Sequence, residues 1–466
     1  MRAWALLSVM VMALCVLAQP QTPAAGTVHP SVAVIADPSN SYALYLPSNY
    51  SAQKRWPLLL VFDPFGRGET GVKLFHEAAE KYGFIVVGSN NSRNFQDPSD
   101  AIRLLWADVK ERYALDPRRI YTAGLSGGAR VASSIALACK SCIAGVIANG
   151  AGLPQGASTP GGLGVADWFL VAGTTDFNYP ELLHLKEALD ANNAASRFVV
   201  YDGPHNWMPP DFAERAVAWL QLRAMVKGLA APNEAFINEQ FSSRVAEARN
   251  AQSSGNILAA ERAWHEIAND FHALRDVKEM EALAKTLAGS DDFRKAKKNE
   301  KAMVDLQDEV ATKVGNLVAG INQEPDNRTA YFAQLQLAVN DASRQQRTSS
   351  NQERKNAVAR GLASSFAYAA ETGQQAMLKK DYLPAKEMFQ AGEIIQPESA
   401  WASYLLATAY AQLGDKKQAI AELKKALDKG MTNMKALDDS AFDRIRGDEG
   451  FKAIVEKLRV NSKSPS

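Results

Sequence analysis

The sequence is poor in cysteine, has no excess charge of either sign and lacks any hydrophobic run long enough to cross a bilayer. Three cysteines in 466 residues are too few for a disulfide scaffold or a dedicated zinc module. Lys plus Arg is 52 and Asp plus Glu is 51, a net charge of +1. Such a balance gives the chain no global electrostatic attraction to nucleic acid or an anionic membrane. Hydrophobic residues at 47% and charged residues at 22% are ordinary for a globular chain and exclude a disordered chain, a collagen and a membrane bundle.

What is present begins with a leader. Arg2 precedes an uncharged, mostly apolar run, Ala3 to Ala18, of about 16 residues, short of the ~20 a membrane-spanning helix needs. It closes on Val16-Leu17-Ala18, before Gln19-Pro20. This is the pattern of a secretory signal peptide cut after Ala18. It predicts an exported protein, periplasmic or extracellular, with 19–40 as an N-terminal tail and no transmembrane segment in the mature chain. An uncleaved N-terminal anchor is the alternative. Leu14 stands where a lipoprotein signal wants a small residue before Cys15, which argues against lipidation. Cys139 and Cys142 remain after cleavage. Their C-x-x-C spacing fits a disulfide clip, and no second pair exists to complete a metal site.

Residues 41–228 alternate short Val-, Ile-, Leu- and aromatic-rich runs with amphipathic stretches. Strands are expected at Tyr42–Leu46, Pro57–Phe62, Phe84–Gly88, Arg119–Ala123, Ile143–Asn149, Trp168–Ala172 and Arg197–Tyr201. The alternation predicts βαβ units and an α/β fold with a doubly wound, mostly parallel sheet. Ligands of such sheets sit beyond the carboxyl ends of the strands. After a linker at 229–236, strand patterns vanish and the chain reads as an all-α region: a helical domain with one degenerate repeat at 237–365, repeats at 366–433 and a cap at 434–466. Lys380, Ala385 and Phe389 recur as Gly414, Ala419 and Leu423, an offset of 34 (419 − 385) that resembles the tetratricopeptide period. Gly255, Ala260 and Trp264 repeat the internal spacing. That resemblance implies a module for binding a protein partner, or a helical appendage that stabilises or covers the first domain. Ser343–Glu353 reads as a polar loop.

The strongest chemical signal is Gly124-Leu125-Ser126-Gly127-Gly128 after the strand Arg119–Ala123. A serine hydroxyl is a poor nucleophile unless it is exposed, aligned with a base and close to oxyanion donors. A sharp strand-to-helix turn flanked by glycines supplies that exposure. Of six histidines, only His205 follows a strand, in Asp202-Gly203-Pro204-His205, where Gly-Pro forces a turn. The acid is expected at Asp176, after Phe169–Ala172, with Asp202 as its competitor. Asp176 would hold the imidazole in the required tautomer. The order Ser126, Asp176, His205 is the α/β-hydrolase order.

With Leu115-Asp116-Pro117-Arg118-Arg119-Ile120-Tyr121 leading into the elbow, the first half resembles secreted α/β-hydrolases of the esterase, polyhydroxybutyrate-depolymerase-like and dienelactone-hydrolase-like group. The resemblance implies a Ser-His-Asp mechanism and a small or polymeric carboxylic-ester substrate, with no metal or organic cofactor. It also implies an oxyanion hole built from the N–H of Gly127 and one from the loop after Pro57–Phe62. Typical members have His-Gly there; this chain has Asp63-Pro64-Phe65-Gly66-Arg67. Pro64 has no N–H, so Phe65 becomes the expected donor. Asp63 either opposes the oxyanion or braces the loop, paired by Arg67. Asn90, Arg93 and Trp207 are candidate substrate contacts. The other readings are a peptidase resembling prolyl oligopeptidases, or a hydrolase-fold scaffold acting through its repeats.

Overall fold

The structure is a computed structural model describing residues 23–154, 156–157, 163 and 165–461; the leader expected at 1–18 lies outside them. Eight strands form one sheet: β1 (Val28–Ala33), β2 (Ser41–Tyr45), β3 (Trp56–Phe62), β4 (Ile85–Ser89), β5 (Leu115–Leu125), β6 (Gly145–Asn149), β7 (Asp167–Gly173) and β8 (Ser196–Tyr201). Their order is β1-β2-β4-β3-β5-β6-β7-β8. The pairs from β4 through β8 are parallel, while β2 runs antiparallel to β1 and β4. This is the mostly parallel α/β-hydrolase sheet.

Five helices cover it: α1 (Gly68–Tyr82), α2 (Ser99–Arg112), α3 (Gly127–Ala138), α4 (Tyr179–Ala191) and α5 (Pro210–Val226). Strand side chains alternate in direction, so each strand feeds two cores. Leu58, Leu60 and Phe62 of β3 pack with α2, α3 and α4. Leu59 and Val61 pack on the other face with Val72 and Phe75 of α1 and Trp219 of α5.

The expected tail at 19–40 is corrected by β1, which pairs with β2 along the sheet edge with a register shift between His29 and Val32. Pro30 falls in that irregularity, and an edge strand tolerates a residue with no N–H to give. The polar loop expected at 343–353 is also corrected. Helix continues to Thr348 and resumes at Gln352.

The helical region comprises α6 (Glu234–Ser253), α7 (Ile257–Phe271), α8 (Lys278–Ala288), α9 (Asp291–Gln323), α10 (Arg328–Thr348), α11 (Gln352–Leu378), α12 (Tyr382–Ile395), α13 (Ala400–Leu413), α14 (Lys416–Asp428) and α15 (Glu449–Asn461). The residues related by 34 occupy equivalent places. Lys380 and Gly414 take φ of 64° and 83° between paired helices, and Ala385 and Ala419 are fully buried, as are Phe389 and Leu423 to within 1%. Gly255, at φ 75°, opens the same pattern for buried Ala260 and Trp264 of α7.

Among the described residues, no helix is long and apolar enough to cross a membrane. Cys139 and Cys142 are disulfide-bonded just after α3.

Candidate active site

The parallel registers bring five strand ends to one edge. Phe62 aligns with Gly124, Leu125 with Asn149, Asn149 with Val171 and Gly173 with Tyr201. The residues that follow, Asp63, Ser126, Gly150, Thr174 and Asp202, therefore share one rim.

Ser126 stands between β5 and α3 at φ 55°, ψ −123°, a conformation that non-glycine residues adopt at a cost and mostly at functional sites. Its neighbours explain the glycines. A Cβ at Gly124 would lie 2.2 Å from the carbonyl carbon of Gly128, and one at Gly128 would lie 2.0 Å from Phe62 O. The turn closes only because both are absent. Ser126 makes no side-chain capping bond to α3, and the first N–H groups of α3 lack intrahelical acceptors.

His205 Nδ1 lies 2.8 Å from Asp176 Oδ1, and Asp176 is fully buried. The same oxygen accepts from Asn178 N–H at 2.9 Å, while Oδ2 is buried without a partner. An ionised Asp176 fixes the proton on Nδ1 and leaves the Nε2 lone pair free. Asp202, the competing acid, accepts from Thr174 Oγ1 at 2.9 Å instead. The Phe177 ring lies 4.2 Å from the imidazole, centroid to centroid. Tyr201 braces the histidine loop, its hydroxyl 2.8 Å from the carbonyls of Pro204 and Asn206. Burial first, then the charge of Asp176, pushes that phenol up to about 12.

Asn149 was not anticipated. Fully buried at the end of β6, it accepts the Ser126 N–H on its carbonyl at 2.9 Å. Its side-chain Oδ1 accepts Met208 N–H at 2.8 Å and its Nδ2 donates to Asn206 O at 3.3 Å. It is a strut between the serine turn and the histidine loop. Its place at a strand end was the available signal.

The loop after β3 differs from expectation. Asp63 is 1% exposed. Its carboxylate accepts Phe65 N–H at 2.9 Å, both Arg67 Nε and Nη2 at 2.9 Å, and Trp207 Nε1 at 2.9 Å. Asp63 thus braces the loop, and the Phe65 N–H expected to serve an oxyanion is consumed within it. Trp207, expected to touch substrate, spends its indole N–H on Asp63 and packs edge-on to Phe75. Asn90 donates to Pro30 O and Ser41 Oγ at 3.1 and 3.0 Å, tying the β1–β2 edge in place rather than lining a cleft. Arg93 is exposed, and its Nη2 reaches Asn90 O at 3.4 Å.

The helical region reaches this rim. Gln307 of α9 donates to Phe177 O at 2.8 Å, and Arg360 of α11 donates to Thr174 O at 2.9 Å and to Gln307 Oε1 at 2.6 Å. Trp401 of α13 meets Phe65 edge-on at 5.8 Å. Eleven residues, or three turns, beyond Arg360 stands Glu371. Its side chain is exposed, and partial desolvation raises its carboxyl above the usual range, while the charges of His205 and Arg130 pull it back. Among the described residues no cluster of three His, Cys, Asp or Glu side chains could hold a metal.

No protein-family model matches the chain, and no curated protein matches it in sequence. Among solved structures, it is similar to the substrate-bound fluorophosphonate-binding serine hydrolase F of Staphylococcus aureus, at 16% identity over 39% of this chain and 92% of that one, TM-score 0.33. It is similar to an S-formylglutathione hydrolase of the same organism at 14% identity, covering 43% of this chain and 100% of that one, TM-score 0.33. A hyperthermophilic esterase from Pyrobaculum calidifontis is 15% identical over 45% of this chain and 87% of that one, TM-score 0.34. Each likeness covers less than half of this chain.

Proposed function

We propose that the protein is a serine hydrolase that cleaves a carboxylic ester through an acyl-enzyme. One observation carries the reading: the buried Asp176 bonded to His205 Nδ1, on the strand-end rim that also holds Ser126 at its left-handed turn. In the proposed mechanism His205 Nε2 takes the hydroxyl proton as Ser126 Oγ attacks the acyl carbon. The alcohol leaves with that proton. Water, deprotonated in turn by His205, then attacks the acyl-enzyme and releases the acid. Gly127 N–H, at the positive end of α3, receives part of the charge on the carbonyl oxygen.

In this reading the helical region acts on the site by covering it, through residues that precede the 366–433 repeats. The support is that α9 and α11 bond to carbonyls on either side of Asp176. A partner-binding role for the 366–433 helices is compatible with that cover. Export by the leader is part of the proposal, since the leader alone motivates it.

The purified protein should hydrolyse p-nitrophenyl acetate and label with a fluorophosphonate probe, and Ser126→Ala should do neither. Equal labelling of both proteins would sink the reading.

A further inference from the structure

An oxyanion at Ser126 calls for two donors, and the expected places supply one. Gly127 opens α3, so its N–H lacks an intrahelical acceptor. The loop after β3 offers none. Pro64 has no N–H. Phe65 N–H donates to Asp63 Oδ1 at 2.9 Å, Gly66 N–H to Asp63 O at 3.0 Å and Arg67 N–H to Asp63 Oδ1 at 3.4 Å. Asp63 is 1% exposed and holds the Arg67 guanidinium and the Trp207 indole. Releasing the Phe65 amide would take one hydrogen bond from this buried carboxylate, which is costly.

The side chain of Asn94 lies beside Gly127. A Cβ built on Gly127 would lie 1.9 Å from Asn94 Oδ1, 2.8 Å from its Cγ and 3.1 Å from its Nδ2. The carboxamide therefore lies against the very residue that gives the first donor, and a side chain at 127 would have to push it aside. The backbone around it is held firmly. Asn94 N–H donates to Pro64 O at 2.8 Å, Arg93 bridges Phe65, and Phe95 takes φ 65°, a strained choice for an aromatic residue. Among the described residues the Asn94 carboxamide has no hydrogen-bond partner. A half-turn about Cβ–Cγ exchanges its oxygen and nitrogen, so Nδ2 can present to either side.

We propose that Asn94 Nδ2 is the second oxyanion donor, a catalytic side-chain amide in place of the backbone N–H that Asp63 withholds. As Ser126 Oγ bonds to the acyl carbon, the carbonyl π pair moves to oxygen. The Asn94 N–H donates to that oxygen without transferring its proton, then returns it to carbonyl form as the alcohol leaves. This inference rests on the serine hydrolase reading above.

The test is the steady-state hydrolysis of p-nitrophenyl acetate by the full chain. Asn94→Ala should lower kcat by about 10²–10³-fold, as loss of one oxyanion donor does, with KM changed less than about threefold because the ground-state carbonyl gains little from the donor. Inhibition by a trifluoromethyl ketone, which forms a tetrahedral adduct at serine, should weaken in parallel. Asn94→Asp keeps the size of the side chain, and so its packing, but replaces a donor with an anion; it should lose at least as much kcat. Near-wild-type kcat in both variants, with Ser126→Ala inactive, overturns the Asn94 assignment alone. No turnover and no fluorophosphonate labelling in the unaltered protein overturns the hydrolase reading and this inference with it.

Discussion

The helical region meets the sheet domain in two places, and the two joins are built differently. At the first, α7 lays two acids one turn apart against the sheet domain. Asp270 is 1% exposed; it accepts Trp219 Nε1 of α5 at 2.7 Å and pairs with Arg244 of α6 and Arg223 of α5. Glu266 accepts Phe198 N–H at 2.9 Å, occupying an edge-strand donor that would otherwise be open to pairing. Leu222 and Met225 of α5 share one core with Ile237, Trp264 and Phe271. At the second join, over the strand-end rim, Arg360 and Gln307 bond to main-chain carbonyls, and Trp401 touches Phe65. The first join packs desolvated side chains together, with one main-chain N–H among their partners, and makes α6 and α7 part of the sheet domain's core. The second borrows the backbone of the loop that carries Asp176, so its effect falls on the site more than on the fold.

The largest effect should come from the first join. Asp270→Ala leaves the Trp219 indole N–H and the Arg244 guanidinium without their acceptor, while Arg223 keeps Asp167; removing one partner of a buried ion pair costs about 3–5 kcal/mol. Urea unfolding should show that loss, with the α/β domain and α6–α7 melting as one transition. Two separated transitions would break the claim that they share a core.

Arg360→Ala should cost less stability and more activity. It removes one charged hydrogen bond to Thr174 O and one to Gln307, worth about 1.5–3 kcal/mol together with their burial. Freeing the 174–177 loop should lower kcat by roughly tenfold, inside the ~100-fold that a 1 Å displacement can cause. An unchanged kcat alongside a lower unfolding midpoint would show that the roof only stabilises.

The contrast between the joins also marks what the sequence could disclose. The serine turn was legible because much of its geometry is local: Gly124 is demanded by contacts with Gly128 and Ala129, although Gly128 is demanded by Phe62 on the neighbouring strand. Asp176 and His205 were legible from their places after strands. β1 was not, because Pro30 and an irregular register erase the alternation that reveals a strand. The break expected at 343–353 shrank because Ser, Gln and Arg side chains that suit a loop also suit the exposed face of α10. Phe65 N–H was misjudged because nothing in Asp63-Pro64-Phe65 says that the aspartate turns back on its own loop. Asn94 and Asn149 act through contacts across 33 and 23 residues (127 − 94; 149 − 126). Long-range pairing of that kind, including both joins, leaves no periodic trace.

Exposed charges across the second join should matter little. Lys435 Nζ lies 3.4 Å from Glu69 with its side chain 82% exposed, and such pairs contribute about 0–1 kcal/mol. Lys435→Ala should move the urea midpoint by the equivalent of no more than about 0.5 kcal/mol, and about 0.5 M salt should erase even that. A larger, salt-resistant shift would mean that the roof is pinned as firmly as the base.

The finest test is at Glu371, where the roof faces the histidine. The side chain is exposed at the surface, yet partial desolvation among the roof helices raises its carboxyl above the ordinary 4.5 by more than the charges of His205 and Arg130 lower it. The folded chain therefore holds this proton to a higher pH than the unfolded chain does. Protons bound in the native state exceed those in the unfolded state across that window, so stability falls as pH rises from 4.5 through the folded value and is level above it. Glu371→Gln, which cannot ionise, escapes the loss. Unfolding midpoints should coincide for the two proteins near about pH 4 and favour Glu371→Gln slightly near about pH 8. The opposite sign at the higher pH would mean that the cations outweigh desolvation there, and that the roof is held onto the site by charge rather than merely resting over it.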